Sequence, residues 1–204
     1  MSSAIWIRRS FESAGLTQIP TGRYLKTVQG RFGGGTVMLM IDVSGSMYGP
    51  PLTEAVRGAK AFVTEAVEAR YEVGIILWHV EVIAACDPTA DGADALAILD
   101  RAVAGGDNDL IGPLVHCHNV LGKYVGDRVV ALFGDGDLTP KQQVLERVAQ
   151  MKSENIRFVT RGLGVFAAHE FGEISDEGSD AARVDRVEDL AEGIAGMATV
   201  LRKA

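Results

Sequence analysis

The sequence predicts an α/β fold: an open, mostly parallel twisted sheet with one antiparallel edge strand and helices on both faces. Two observations lead there. Several runs of strand length are apolar throughout instead of alternating, as in Thr36–Ile41 (Thr-Val-Met-Leu-Met-Ile), which is how a strand covered on both faces reads. Between these runs lie stretches with apolar residues at helical spacing, and the two kinds of segment alternate along the chain. With 204 residues, 47% hydrophobic and 23% charged, the chain can bury one sizeable core.

Residues 1–35 are the least regular and are expected to form an N-terminal accessory arm. Ile5, Trp6 and Phe11 fit one side of a short helix ending near Gly15, and Pro20, Gly22 and Gly30 interrupt the remainder of the arm. Gly33-Gly34-Gly35 reads as a hinge, and residues 36–204 form the domain. The first strand stops at Asp42. A helix over 52–69 comes after Pro50-Pro51, with Val56, Ala59, Phe62, Val63 and Val67 on one side. Residues 72–78 and 80–85 read as two strands joined tightly at His79. Helices are expected over 93–103, closed by Gly105-Gly106, and over 110–124. A buried strand over 127–133, a helix over 141–152 and a strand over 156–162 come next. A helical turn over 168–174, an edge strand over 183–187 and an amphipathic helix over 188–202 complete the order.

Composition narrows the function classes. The net charge of −7 disfavours nucleic acid and anionic membrane as partners, and no apolar stretch is long enough to cross a bilayer. The N-terminus lacks the basic-then-apolar pattern of a secretory signal, and two cysteines cannot make a disulfide framework, so a cytoplasmic location is expected.

In folds of this class, ligands sit beyond the carboxyl ends of the strands. After the first strand, Asp42-Val43-Ser44-Gly45-Ser46 places a carboxylate and two hydroxyls around a tight turn. After a later strand, Gly134-Asp135-Gly136-Asp137 delivers a second carboxylate, and between them Gly105-Gly106-Asp107-Asn108-Asp109-Leu110 adds further oxygens. Oxygen-only donors suit a hard cation such as Mg²⁺, and Mn²⁺ or Ca²⁺ shares that chemistry.

These three loops resemble the von Willebrand factor A family. Asp42-Val43-Ser44-Gly45-Ser46 is similar to its Asp-x-Ser-x-Ser signature, and Asp107-Asn108-Asp109-Leu110 and Gly134-Asp135-Gly136 are similar to its Gly-Gly-Thr-Asp-Leu and Thr-Asp-Gly segments. The resemblance covers roughly Thr36 to the C-terminus. It implies a metal ion-dependent adhesion site with Asp42, Ser44, Ser46, Asn108 and Asp135 as ligands, and a partner protein whose Asp or Glu completes the coordination. Matching on Asp109-Leu110 puts Asn108 where the family has threonine; a one-residue shift puts Asp107 there and adds a third carboxylate. Gly134 also departs from the family threonine and is expected to loosen the loop. Met47 and Tyr48 are expected at the contact rim. Stand-alone bacterial domains similar to this one serve in larger machines, including AAA+ ATPase assemblies and defence or stress systems.

Plainer readings attach to several of these residues. Asp42 and Ser44 are also ordinary turn and cap residues, Asp109 is expected to cap the helix after it, and Asp137 to be solvated or behind the ligands. Adjacent residues on a helix diverge by about 100°, so His116-Cys117-His118 cannot converge on one zinc ion, and Cys117 falls in register with Leu110, Leu114 and Leu121 as core. Cys86, Trp78 and His79 read as structural. The chain is expected not to be an enzyme: it has no nucleotide-binding glycine motif and no nucleophile elbow. A Mg²⁺-dependent phosphohydrolase using Asp42 is the enzymatic rival. It wants an acid where Ser44 stands, and Lys141 is its only loose lysine candidate. A metal-free structural subunit is the third reading.

Overall fold

A computed structural model describes residues 34–136, 138–178 and 180–201. The helix expected near Ile5–Gly15, most of the arm and Asp137 therefore lie outside the described residues. Six strands form one sheet in the order β3-β2-β1-β4-β5-β6. They are β1 (Gly35–Asp42), β2 (Glu72–Trp78), β3 (Val82–Thr89), β4 (Asp127–Gly134), β5 (Ile156–Leu163) and β6 (Arg183–Val184). All neighbours run parallel except β3, which pairs antiparallel with β2 along the outer edge. The expected architecture is the observed one.

The apolar run of β1 reflects its place at the centre of the sheet. Val37, Leu39 and Ile41 face one core with α1 (Pro50–Glu68), α2 (Ala93–Leu99), α6 (Leu190–Gly196) and α7 (Ala198–Leu201). Met38 and Met40 face the other, with α3 (Ile111–Leu121), α4 (Lys141–Ser153) and α5 (Gly164–Gly172). Every residue from Val37 to Ile41 is fully buried. Truncating such a side chain costs about 2–5 kcal/mol, so the strand that delivers Asp42 is rigidly held.

Several element ends differ from expectation. β3 begins at Val82 instead of Val80, because 79–81 close a turn in which the His79 N–H donates to the Glu81 carbonyl at 3.1 Å. It then runs on to Thr89 through Asp87 and Pro88. α2 stops at Leu99, and the chain beyond it is captured by the loop after β1, where the Val43 carbonyl accepts the Gly105 N–H. The C-terminal helix is broken into a turn at Val187–Asp189 followed by α6 and α7, and the edge strand is only Arg183–Val184. Glycine explains part of this. A Cβ at Gly193 would lie 2.6 Å from Val184, so α6 approaches β6 more closely than a uniform helix of larger residues allows. Gly58 does the same for α1, where a Cβ would fall 2.6 Å from the Ala191 carbonyl oxygen.

Candidate metal centre

Asp42 ends β1 with its side chain wholly buried. Its Oδ1 accepts the Ser44 N–H at 2.7 Å, which bends the chain off the sheet. Its Oδ2 is buried without any hydrogen-bond partner. Burial pushes the carboxyl up to about 6, against the lowering effect of the Ser44 bonds, and the nearby Asp135 charge raises it further. The turn reading of Asp42 is thus right for one oxygen and leaves the other unexplained.

From Ser44 the polar atoms continue outward. Ser44 Oγ lies 3.1 Å from Ser46 Oγ, and Ser46 Oγ donates to Asp135 Oδ1 at 2.8 Å. Ser44 is buried and Ser46 exposed, so the chain of oxygens runs from the sheet to the surface.

The middle loop is tied to the first by two backbone bonds. Gly45 N–H donates to the Gly106 carbonyl at 3.0 Å, and Gly105 N–H donates to the Val43 carbonyl at 2.8 Å. Gly106 holds a positive φ of 79° against the His79 ring, where a Cβ would meet ring atoms at 2.9 Å. The His79 carbonyl in turn accepts the Asp109 N–H at 3.1 Å. Asp109 Oδ1 accepts the Ile111 N–H at 3.0 Å, the capping role expected of it. Asp107 is exposed and accepts its neighbour's N–H, Asn108, at 3.0 Å. Asn108 has its amide nitrogen against Gly136 and its Oδ1 buried without a partner.

The structure therefore joins Asp42, Ser44, Ser46 and Asp135 in one hydrogen-bonded set and brings Asn108 against the Asp135 loop; Asp107 stays outside. Two buried acceptors with no donor, Asp42 Oδ2 and Asn108 Oδ1, beside two hydroxyls and a second carboxylate, fit a hard cation. Gly134 requires a correction. It does not loosen the loop: it is buried at the end of β4, where a Cβ would come within 2.8 Å of Phe171 and 3.2 Å of Asp42 Oδ2. His79 and Phe171 shape the centre without ligating anything, and only the glycines opposite them, Gly106 and Gly134, hinted at this in the sequence.

Other chemically suggestive groups are accounted for. Cys117 is buried, its thiol pushed up by desolvation, and Cys86 is half-buried and raised for the same reason. His118 sits between Glu154 (2.9 Å) and Arg147 (3.3 Å). His169, Glu170 and Glu173 gather closely, but Lys141 Nζ already bonds Glu170 at 2.9 Å and Glu173 at 2.6 Å. No described helix is long and apolar enough to cross a membrane.

Comparison with known proteins agrees with this fold. A von Willebrand factor type A protein from Catenulispora acidiphila superposes with a TM-score of 0.66 at 17% identity, over 83% of this chain and 43% of that one. The vWF domain of the type V pili tip protein Mfa5 from Porphyromonas gingivalis gives 0.73 at 11% identity, over 83% and 95%. The pilus adhesin SpaC from Lactobacillus rhamnosus gives 0.66 at 14%, over 83% and 30%. The chain thus spans less than half the length of the first and third, and at these identities the likeness is one of fold. No curated protein sequence matches. Residues 37–137, which carry all three oxygen-bearing loops, match the family model of the von Willebrand factor type A domain, and this part of the chain is a member of that family.

Proposed function

We propose that this domain is a protein-interaction module that holds a divalent cation, Mg²⁺ by preference, on Asp42, Ser44, Ser46, Asn108 and Asp135, and engages an acidic residue of a partner there. The observation that carries the reading is the pair of buried acceptors without donors, Asp42 Oδ2 and Asn108 Oδ1, flanking the Ser44–Ser46–Asp135 chain. When bound, the ion supplies a coordination position for a partner's Asp or Glu oxygen. Asp42 anchors the base of the site from the rigid end of β1. Ser44, Ser46 and Asn108 contribute oxygens without charge, so the protein sets no more than two carboxylates against the ion's two positive charges, and no third carboxylate of its own repels a partner's. Mn²⁺ and Ca²⁺ share the donor preference.

The module fits a cytoplasmic subunit of a larger assembly, for instance an AAA+ or stress system, and its two free cysteines agree with a reducing compartment. Mfa5 and SpaC are, by name, pilus proteins, so adhesion outside the cell is the competing setting. The phosphohydrolase reading is disfavoured because Lys141 is engaged by Glu170 and Glu173. Calorimetry with Mg²⁺ and Mn²⁺ is the test: wild type takes up one ion, and Asp42→Ala takes up none. Silence from the wild type with both ions sinks the proposal, and Asp42-dependent turnover in a generic phosphatase screen revives the enzyme.

A further inference from the structure

The exposed apolar side chains are distributed unevenly. Among the described residues, Tyr48, Val80, Ile83, Val103, Val165 and Phe166 are large, apolar and 45–80% exposed. All lie where the chain leaves or re-enters the carboxyl edge of the parallel strands. Tyr48 comes after β1, Val80 and Ile83 turn from β2 into β3, and Val165 and Phe166 come after β5. Val103 lies two residues before Gly105, which bonds the Val43 carbonyl beside the metal centre. β1 and β5 are separated only by β4, which puts Tyr48 and Phe166 on connections rooted about 10 Å apart. The opposite edge has only Val125 of this kind among the described residues. A surface of this polarity marks a binding face.

The chain itself holds a segment of matching chemistry. Residues 1–33 carry Arg8, Arg9, Arg23, Lys26 and Arg31 against one carboxylate, Glu12, so of the net −7 the arm holds +4 and the remainder −11. That single carboxylate stands next to Phe11, with Ile5, Trp6 and Ile7 just upstream. The arm joins the domain at Gly34, at the edge away from the centre, and β1 spans about 26 Å between the two edges. The 22 steps from Glu12 to Gly34 reach up to about 70 Å, ample for the return. At this tether length the effective concentration of the arm is of millimolar order.

We propose that residues 1–33 dock on the carboxyl edge of their own domain, with Trp6 and Phe11 among the exposed apolar side chains and Glu12 on the metal, as an internal competitor of the partner's carboxylate. This rests on the metal reading of the same centre. Opposite charges on arm and domain favour the approach, and the ion makes it selective for the one acidic residue the arm possesses. The partner then binds by displacing Glu12, so the arm sets the threshold of the interaction.

Limited trypsin digestion of the full chain, read by mass spectrometry, tests this at Arg8 and Arg9. Mg²⁺ is expected to slow cleavage there about tenfold, the factor for an undocked fraction of a tenth. Glu12→Gln and the surface pair Tyr48→Ser/Phe166→Ser should each restore the metal-free rate, with unchanged thermal melting showing an intact domain. Equal cleavage with and without Mg²⁺, in protein that takes up the ion by calorimetry, overturns arm docking and leaves the metal centre standing. Absence of ion uptake overturns both. Protection that Glu12→Gln does not relieve overturns the role of Glu12. Protection that fades on about hundredfold dilution assigns the arm to a neighbouring copy, against docking on its own domain.

Discussion

Asp42 shows most directly what burying a carboxylate costs this fold. Its carboxyl rests at about 6 in the fold against an ordinary 3.8, with desolvation the main cause. A folded value above the unfolded one means the fold prefers the protonated acid. In metal-free protein, the contribution of Asp42 to stability is therefore greatest below pH 4, falls as pH rises through 6, and is flat beyond. The total loss is at most about 3 kcal/mol. Urea midpoints in chelator from pH 4 to 8 should trace this fall, and Asp42→Asn should flatten it. Gly134 carries a second prediction. Gly134→Thr, which installs the residue more usual in the family, should destabilise by about 1–3 kcal/mol because Phe171 fills the space. Adding Phe171→Leu should recover part of that, measured by thermal melting of the single and double variants. Asp42, Ser44 and Ser46 were legible as candidates because they alternate just after one apolar run, and Asp135 because it stands just after another. The choice between Asn108 and Asp107 was not, since both carry oxygen and only the fold shows which is buried. Phe171 was invisible as a neighbour of Asp42, being 129 positions away with no motif to link them.

Elements fared in proportion to how strongly one requirement governed them. β1 and β4 are apolar on both faces and could be little else. α1 has a clean apolar side and prolines at its start. Ends were harder: α2 gives up Asp100–Val103 because Gly105 bonds to Val43, a contact local periodicity does not contain. The C-terminal segment reads as one helix by spacing, yet it breaks at Met197, and Gly193 serves close packing against Val184 instead. Gly58 makes that packing testable. In an isolated helix, Gly58→Ala would gain about 1 kcal/mol from propensity. Here the new methyl meets the Ala191 backbone at 2.6–2.7 Å, so the variant should melt lower than wild type. A higher melting temperature would show that α1 and α6 are free to separate.

For the molecule as a whole, the sheet is a frame that fixes three loops at one edge, and ion binding should stabilise the entire fold. At an ion concentration a hundred times the dissociation constant, the gain is about 2.7 kcal/mol. Melting temperature should therefore climb with Mg²⁺ in the wild type and stay level in Asp135→Asn. The lateral margins of the sheet have a different consequence. One ends in a strand of two residues, and the other carries Asp87 and Pro88 near its far end. Short margins, charge and proline offer an incoming strand little to pair with. Concentrated solutions of this domain should thus resist edge-to-edge polymerisation into fibrils. Where self-association does occur, it should run through the loop-bearing edge and respond to chelators.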